Sequence, residues 1–245
     1  MPSRHFRFTE IPFNEPVHSP PRRRTLAALA VGAAGLIATR PLIAADGTAR
    51  LCRVRPRQTE GPFFVDPVRE RADLRLDAAT GIAKAGVPLV LTFNVSRDAG
   101  GTCSPIAGAQ VDVWHCDADG VYSGVRDYDA DTRNAQFLRG WQRSDADGVA
   151  RFTTIYPGWY AGRAPHIHFM VRTALGVRRG FTSQLYFDDA TSDQVYRRPE
   201  YSRRSGRRMR NAEDGLFASG GRELVLALSP SGDGYAASFD LALVG

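Results

Sequence analysis

Pro157-Gly158-Trp159-Tyr160-Ala161-Gly162-Arg163-Ala164-Pro165-His166-Ile167-His168-Phe169 places a turn directly in front of a strand. Pro157, Gly158 and Pro165 break any helix, and from His166 onward polar and apolar residues alternate. Strand side chains at i and i+2 share a face. His166 and His168 therefore project together, with Ile167 and Phe169 opposite. Two imidazoles side by side on a rigid strand make half of a metal site, whereas the same pair facing solvent would do nothing. The turn is placed to carry Tyr160 back over the histidine face.

Outward from this segment the pattern is all-β. Leu89–Val95, Ala109–Trp114, Gly148–Ile155, Thr182–Phe187, Glu223–Leu228 and Tyr235–Leu243 read as strands, separated by Gly, Pro and Asp turns. Short strands at regular intervals, with no long amphipathic helix and no internal repeat, predict a β-sandwich core with long loops. The catalytic or binding domain is expected over 89–245. An extended segment spans 46–88, with a Gly-Pro turn in Gln58–Phe64 and a mobile, charged connection over 67–86. Asp117-Ala118-Asp119-Gly120 and Asp145-Ala146-Asp147-Gly148 lack the further acids of a calcium loop and read as tight turns.

The chain has 245 residues and a formal net charge of +6, of which residues 1–45 carry +4. The remainder is close to neutral, so the charge argues little for nucleic acid binding. Residues 1–45 read as an export signal. Arg22-Arg23-Arg24 precede a weakly apolar run from Leu26 to Thr39 and small residues near Ala44-Ala45. The consecutive arginines resemble a twin-arginine signal, and the run is too short for a spanning helix. The mature protein is expected in the periplasm or outside the cell, without a membrane span; a homo-oligomer is allowed. Cys52, Cys103 and Cys116 all lie in the exported part, and three disulfide pairings are open among them. The arginines between 197 and 210 read as a solvated face.

Outside the leader the histidines are His115, His166 and His168. The opening segment carries no carboxylate, but Tyr160 lies within it, and Tyr122 follows the strand ending at Trp114. A neutral phenol is a poor ligand, with an ordinary pKa near 10. A hard trivalent cation deprotonates it, and tyrosinate suits Fe(III). Two phenolates and two neutral imidazoles would leave Fe(III) with one net positive charge, suited to an anionic chelating oxygen substrate.

These residues stand within an ordered series of motifs: Thr59-Glu60-Gly61-Pro62, Gly108–Trp114, Gly120-Val121-Tyr122-Ser123, Phe137-Leu138-Arg139-Gly140, Pro157–Tyr160, Arg163–His168 and Gln184–Phe187. The series resembles the intradiol ring-cleavage dioxygenases, the catechol and protocatechuate dioxygenase family. The chain is similar to its short, exported members and shows no counterpart of a large helical N-terminal domain. The resemblance implies non-haem Fe(III) held by Tyr122, Tyr160, His166 and His168. It implies that Tyr160 serves as ligand and base, and that Arg163 and Gln184 line the substrate side. It also implies a reaction in which a catechol-type diol and O2 give a muconate-type diacid. The family commonly has Arg-Pro-Ala-His where this chain has Arg163-Ala164-Pro165-His166. His115 stays outside the metal shell. Two other readings compete: a secreted non-enzymatic β-sandwich binding module, and an exported copper or zinc protein using His115, His166 and His168.

Overall fold

The computed structural model describes residues 52–66, 69–127, 130–173 and 178–244. The expected leader lies outside the described residues. Two sheets face each other. The first joins β1 (Pro88–Asp98) to β9 (Gly234–Val244) in parallel and β9 to β8 (Ser229–Ser231). The other edge of β1 takes β5 (Val149–Ile155) and then β2 (Cys103–Pro105), both antiparallel. The second sheet is antiparallel and runs β4 (Arg139–Arg143), β3 (Gln110–Trp114), β6 (His166–Arg172), β7 (Phe181–Tyr186). The expected β-sandwich is the observed fold.

Alternation explains the packing. Leu89, Leu91, Phe93 and Val95 of β1 have no exposed surface, while Val90 between them is 38% exposed. From the second sheet, Ile167, Phe169 and Val171 of β6 enter the same core. Phe93 joins the layers, with its ring 5.2 Å from Phe169 and 6.0 Å from Phe239. Burying one such side chain contributes roughly 1.5–3 kcal/mol.

Three sequence expectations change. Glu223–Leu228 is not a strand: a 3-10 turn occupies Gly221–Leu224 after Gly220 at φ 87°, and only isolated bonds to Tyr186 follow. Its alternating leucines are buried at Leu224 and Leu226, which imitates a strand pattern. The segment 69–86 is pinned rather than a loose connection. Leu74 is fully buried, and Arg71 donates to the carbonyls of Arg139, Leu76 and Gln136. Strand β4 went unread because Arg139-Gly140-Trp141-Gln142-Arg143 has no apolar alternation.

Cys52 pairs with Cys103, which ties the N-terminal segment to β2, and Cys116 is free and buried. Closing a loop of this size stabilises by roughly 2–4 kcal/mol. Both Asp-Ala-Asp-Gly motifs are turns, as expected. Asp117 Oδ1 accepts from Asp119 and Val121 N–H, and Asp145 Oδ1 accepts from Asp147 and Val149 N–H. The arginine-rich segment is ion-paired at several points, Arg207 with Glu213 and Arg208 with Asp189 and Asp193. Among the described residues, no helix is long and apolar enough to cross a membrane.

Candidate functional site

The second sheet buries both faces of β6. His166, His168 and Met170 point away from the core and are at most 2% exposed. Loops from three parts of the chain cover them. The Gln58–Phe64 segment lays Phe63 against the Tyr122 ring at 4.4 Å and Phe64 against Trp114 at 5.0 Å. Gly61 sits at φ 69°, and a Cβ there would stand 3.1 Å from His168 Cε1, so glycine allows the close approach. Gly158 lets the Tyr160 turn close on the loop before Tyr122, because a Cβ at Gly158 would meet the Asp117 carbonyl at 2.3 Å.

Arg139 holds the Tyr122 loop. Its Nε donates to Ser123 Oγ at 3.0 Å, and its terminal nitrogens donate to the carbonyls of Phe63 and Ser123. Burial pushes its guanidinium down to about 10, so it stays charged at neutral pH. The preceding Leu138 adopts φ 52°, an uncommon conformation for a residue other than glycine. The Phe137–Gly140 motif contains Arg139, but its sequence alone does not assign the arginine this role.

Tyr122, Tyr160, Arg163, His166, His168 and Gln184 come together in one place. His166 Nε2 lies 3.1 Å from His168 Nε2, 3.3 Å from Tyr160 Oη, 3.5 Å from Tyr122 Oη and 3.5 Å from Arg163 Nη1. His166 Nδ1 is 2.7 Å from the Ala164 carbonyl, which can only accept, so Nδ1 carries the proton and Nε2 presents its lone pair. Arg163 Nη2 donates to Gln184 Oε1 at 2.6 Å and to Tyr186 Oη at 3.3 Å, and Gln184 Nε2 donates to the Thr59 carbonyl. Trp114 stacks on His168 with planes 6° apart. Tyr160, Arg163 and Phe63 are partly exposed while Tyr122, His166 and His168 are buried, so the centre opens toward Tyr160 and Arg163.

Burial dominates the electrostatics. It drives the His166 imidazole down to about 3 and that of His168 well below its usual range, so both are neutral at pH 7. It raises the Tyr122 phenol well above 10 and pushes Tyr160 up to about 12, against the opposing charge of Arg163. Without a cation, both phenols are protonated.

The donor set fits a hard metal ion. One imidazole lone pair faces four neighbours within 3.5 Å and can satisfy one of them. A central cation turns that crowding into ligation. Metal bonds of about 2.0–2.2 Å separate adjacent ligands by roughly 2.8–3.6 Å between right and tetrahedral angles, and the spacings of 3.1, 3.3 and 3.5 Å fall in that range. Among the described residues, no three His, Cys, Asp or Glu side chains cluster in a way that could hold a metal, so a centre here depends on the phenols. His115 stands apart. Its ring nitrogens lie 2.8 Å from the Cys116 carbonyl and 2.7 Å from Thr154 Oγ1, and the copper or zinc reading loses its third imidazole. A groove of about 610 Å³ lined by Val54, Arg55, Arg57, Phe181 and Leu243 contains none of the six residues.

The chain is similar to proteins of known activity. A family model described as dioxygenase matches residues 59–202. Chlorocatechol 1,2-dioxygenase of Pseudomonas putida is 30% identical over 166 residues, which covers 58% of this chain and 57% of that protein. Catechol 1,2-dioxygenase 1 of Acinetobacter lwoffii is 30% identical over 155 residues, covering 53% of this chain and 46% of that protein. The chain thus spans about half the length of the curated relatives it matches. A solved intradiol ring-cleavage dioxygenase from Tetranychus urticae aligns with a TM-score of 0.66 at 29% identity, over 78% of this chain and 94% of that one. From the Thr59 loop through β7 and beyond, this chain belongs to the dioxygenase family, in its intradiol ring-cleavage branch.

Proposed function

We propose that the protein cleaves the ring of a catechol-type diol between its two hydroxylated carbons, using O2 and giving a muconate-type diacid. The single observation that carries this reading is the convergence of two phenols and two neutral imidazoles on one point at 3.1 to 3.5 Å. A bound Fe(III) ion would supply a Lewis acid for the deprotonated, chelating diol and make its ring reactive toward O2. Tyr122, Tyr160, His166 and His168 would hold it. Both oxygen atoms enter the product, so no external reductant is required.

The protein's own groups have separable tasks. Ala164 and the stacked Trp114 fix the two imidazoles. Tyr160, on the open side, is the group placed to accept a diol proton. It lies on the exposed side of the cluster, where a proton leaving the diol can reach its oxygen. The Arg163 guanidinium, 3.5 Å from His166 Nε2, is placed to stabilise negative charge developing on the ring. Gln184 holds Arg163 on the substrate side. A non-enzymatic binding module would gain nothing from burying such a polar cluster, which costs free energy unless each group is used.

The reading includes export to an oxidising compartment, supported by the arginine-led leader and by the Cys52–Cys103 pair. The test of function is oxygen uptake by the iron-loaded protein with a panel of catechols. Consumption of one O2 per diol with a diacid product is expected. Absence of uptake with every diol, at full iron occupancy, would contradict the reading.

A further inference from the structure

We propose that Asp214 is a positioning residue for this reaction, its carboxylate fixing at once the Arg163 guanidinium and the peptide that orients His166. The proposal rests on the ring-cleavage reading for its catalytic consequence. Asp214 lies beyond the family match, which ends at residue 202, and is 2% exposed. Its Oδ2 accepts from Arg163 Nε at 2.9 Å and from the Ala164 N–H at 2.9 Å. The carbonyl of that same Ala164 accepts the Nδ1 proton of His166 at 2.7 Å. Its Oδ1 accepts from Leu216 and Phe217 N–H and so caps the short helix Gly215–Ala218.

One side chain from the segment after β7 therefore fixes both Arg163 and the peptide that holds His166. Arg163 is held at Nε by Asp214 and at Nη2 by Gln184 and Tyr186, which leaves Nη1 aimed at the centre. A guanidinium on a long flexible stem contributes most when its direction is set before the reaction. Asp214 also offsets the Arg163 charge, so the pair offers an aimed donor rather than a bare cation.

Asp214→Asn separates the two roles of the carboxylate, because asparagine caps helices about as well as aspartate. Asp214→Ser, another good cap, serves as the second variant should the first fail to fold. With the full-length iron-loaded protein and catechol, we expect kcat to fall about tenfold to a hundredfold while KM stays within about threefold. In an Arg163→Ala background the same substitution should cost clearly less kcat than in the wild type, because only the Ala164 contact remains to be lost. In the metal-free protein, the Arg163 Nε–H resonance should be slow to exchange and should move or broaden in Asp214→Asn. An unmoved resonance, or an equal loss of kcat in the Arg163→Ala background, would overturn the proposal. A wild-type protein that cleaves no diol would instead overturn the ring-cleavage reading, and the resonance would still decide whether Asp214 holds Arg163.

Discussion

Strands β1 and β6 hold equivalent places, each central in its sheet and each sending alternate residues into the shared core. They differ on the opposite face. On β1 that face carries Val90, Thr92 and Asn94, which are partly or largely exposed. On β6 it carries His166, His168, Met170 and Arg172, none more than 3% exposed. The apolar halves of both strands specify a sandwich and nothing more. A polar face kept out of water is costly, so the covered face of β6 marks where the chain departs from simple packing to build a site. The cover consists of Phe63, Phe64, Tyr122 and Tyr160, brought from three loops.

The largest difference should appear when one face is altered at a time. His168→Ala should lower catechol turnover by about 10³-fold or more through loss of a metal ligand. Val90→Thr on the bare face of β1 should leave turnover within about twofold and stability within about 0.5 kcal/mol. Oxygen uptake and thermal denaturation read the two outcomes, and comparable losses of turnover in both variants would erase the distinction between the faces.

Altering the shared inner layer should affect both sheets together. Phe93 packs against Phe152 and Phe239 in its own sheet and Phe169 in the other. Phe93→Ala should cost about 3–5 kcal/mol, measured as the urea midpoint at constant slope. A cost below about 1 kcal/mol would show that the layers are not joined there.

How far the sequence reaches follows from the same contrast. Strands with one apolar face were legible, because alternation reports burial directly. The His166–His168 pair and its two tyrosines were legible because motif order and short local spacing brought them forward. Arg139 and Asp214 were not. Asp214 stands 51 residues from Arg163, and a lone aspartate before a short helix has no pattern of its own. Strand β4 escaped because Arg139 is buried by hydrogen bonding to carbonyls rather than by apolar packing. The disulfide partners were undecidable, since three cysteines carry no information about which two strands meet.

The smallest effect separates the two kinds of buried histidine. Burial holds His115 down to about 4, below the usual value near 6.5. Between those values the unfolded chain takes up a proton that the folded protein refuses. Stability therefore falls as the pH drops from about 6.5 toward 4, by at most about 1.4 kcal/mol per unit for one group. His166 and His168 act in the same sense in the metal-free protein. Urea unfolding at pH 7 and pH 5 should show a shallower slope for His115→Gln, and an unchanged slope would mean that His115 already carries its proton.

The most direct measurement is a titration of the metal-free protein with ferric iron, followed by visible absorption. A phenolate-to-iron charge-transfer band should grow to one iron per chain, shift in Tyr160→Phe and weaken in Tyr122→Phe. Iron bound at that stoichiometry without a visible band, or a band indifferent to both tyrosines, would contradict the assignment of the covered β6 face as a ferric tyrosinate site.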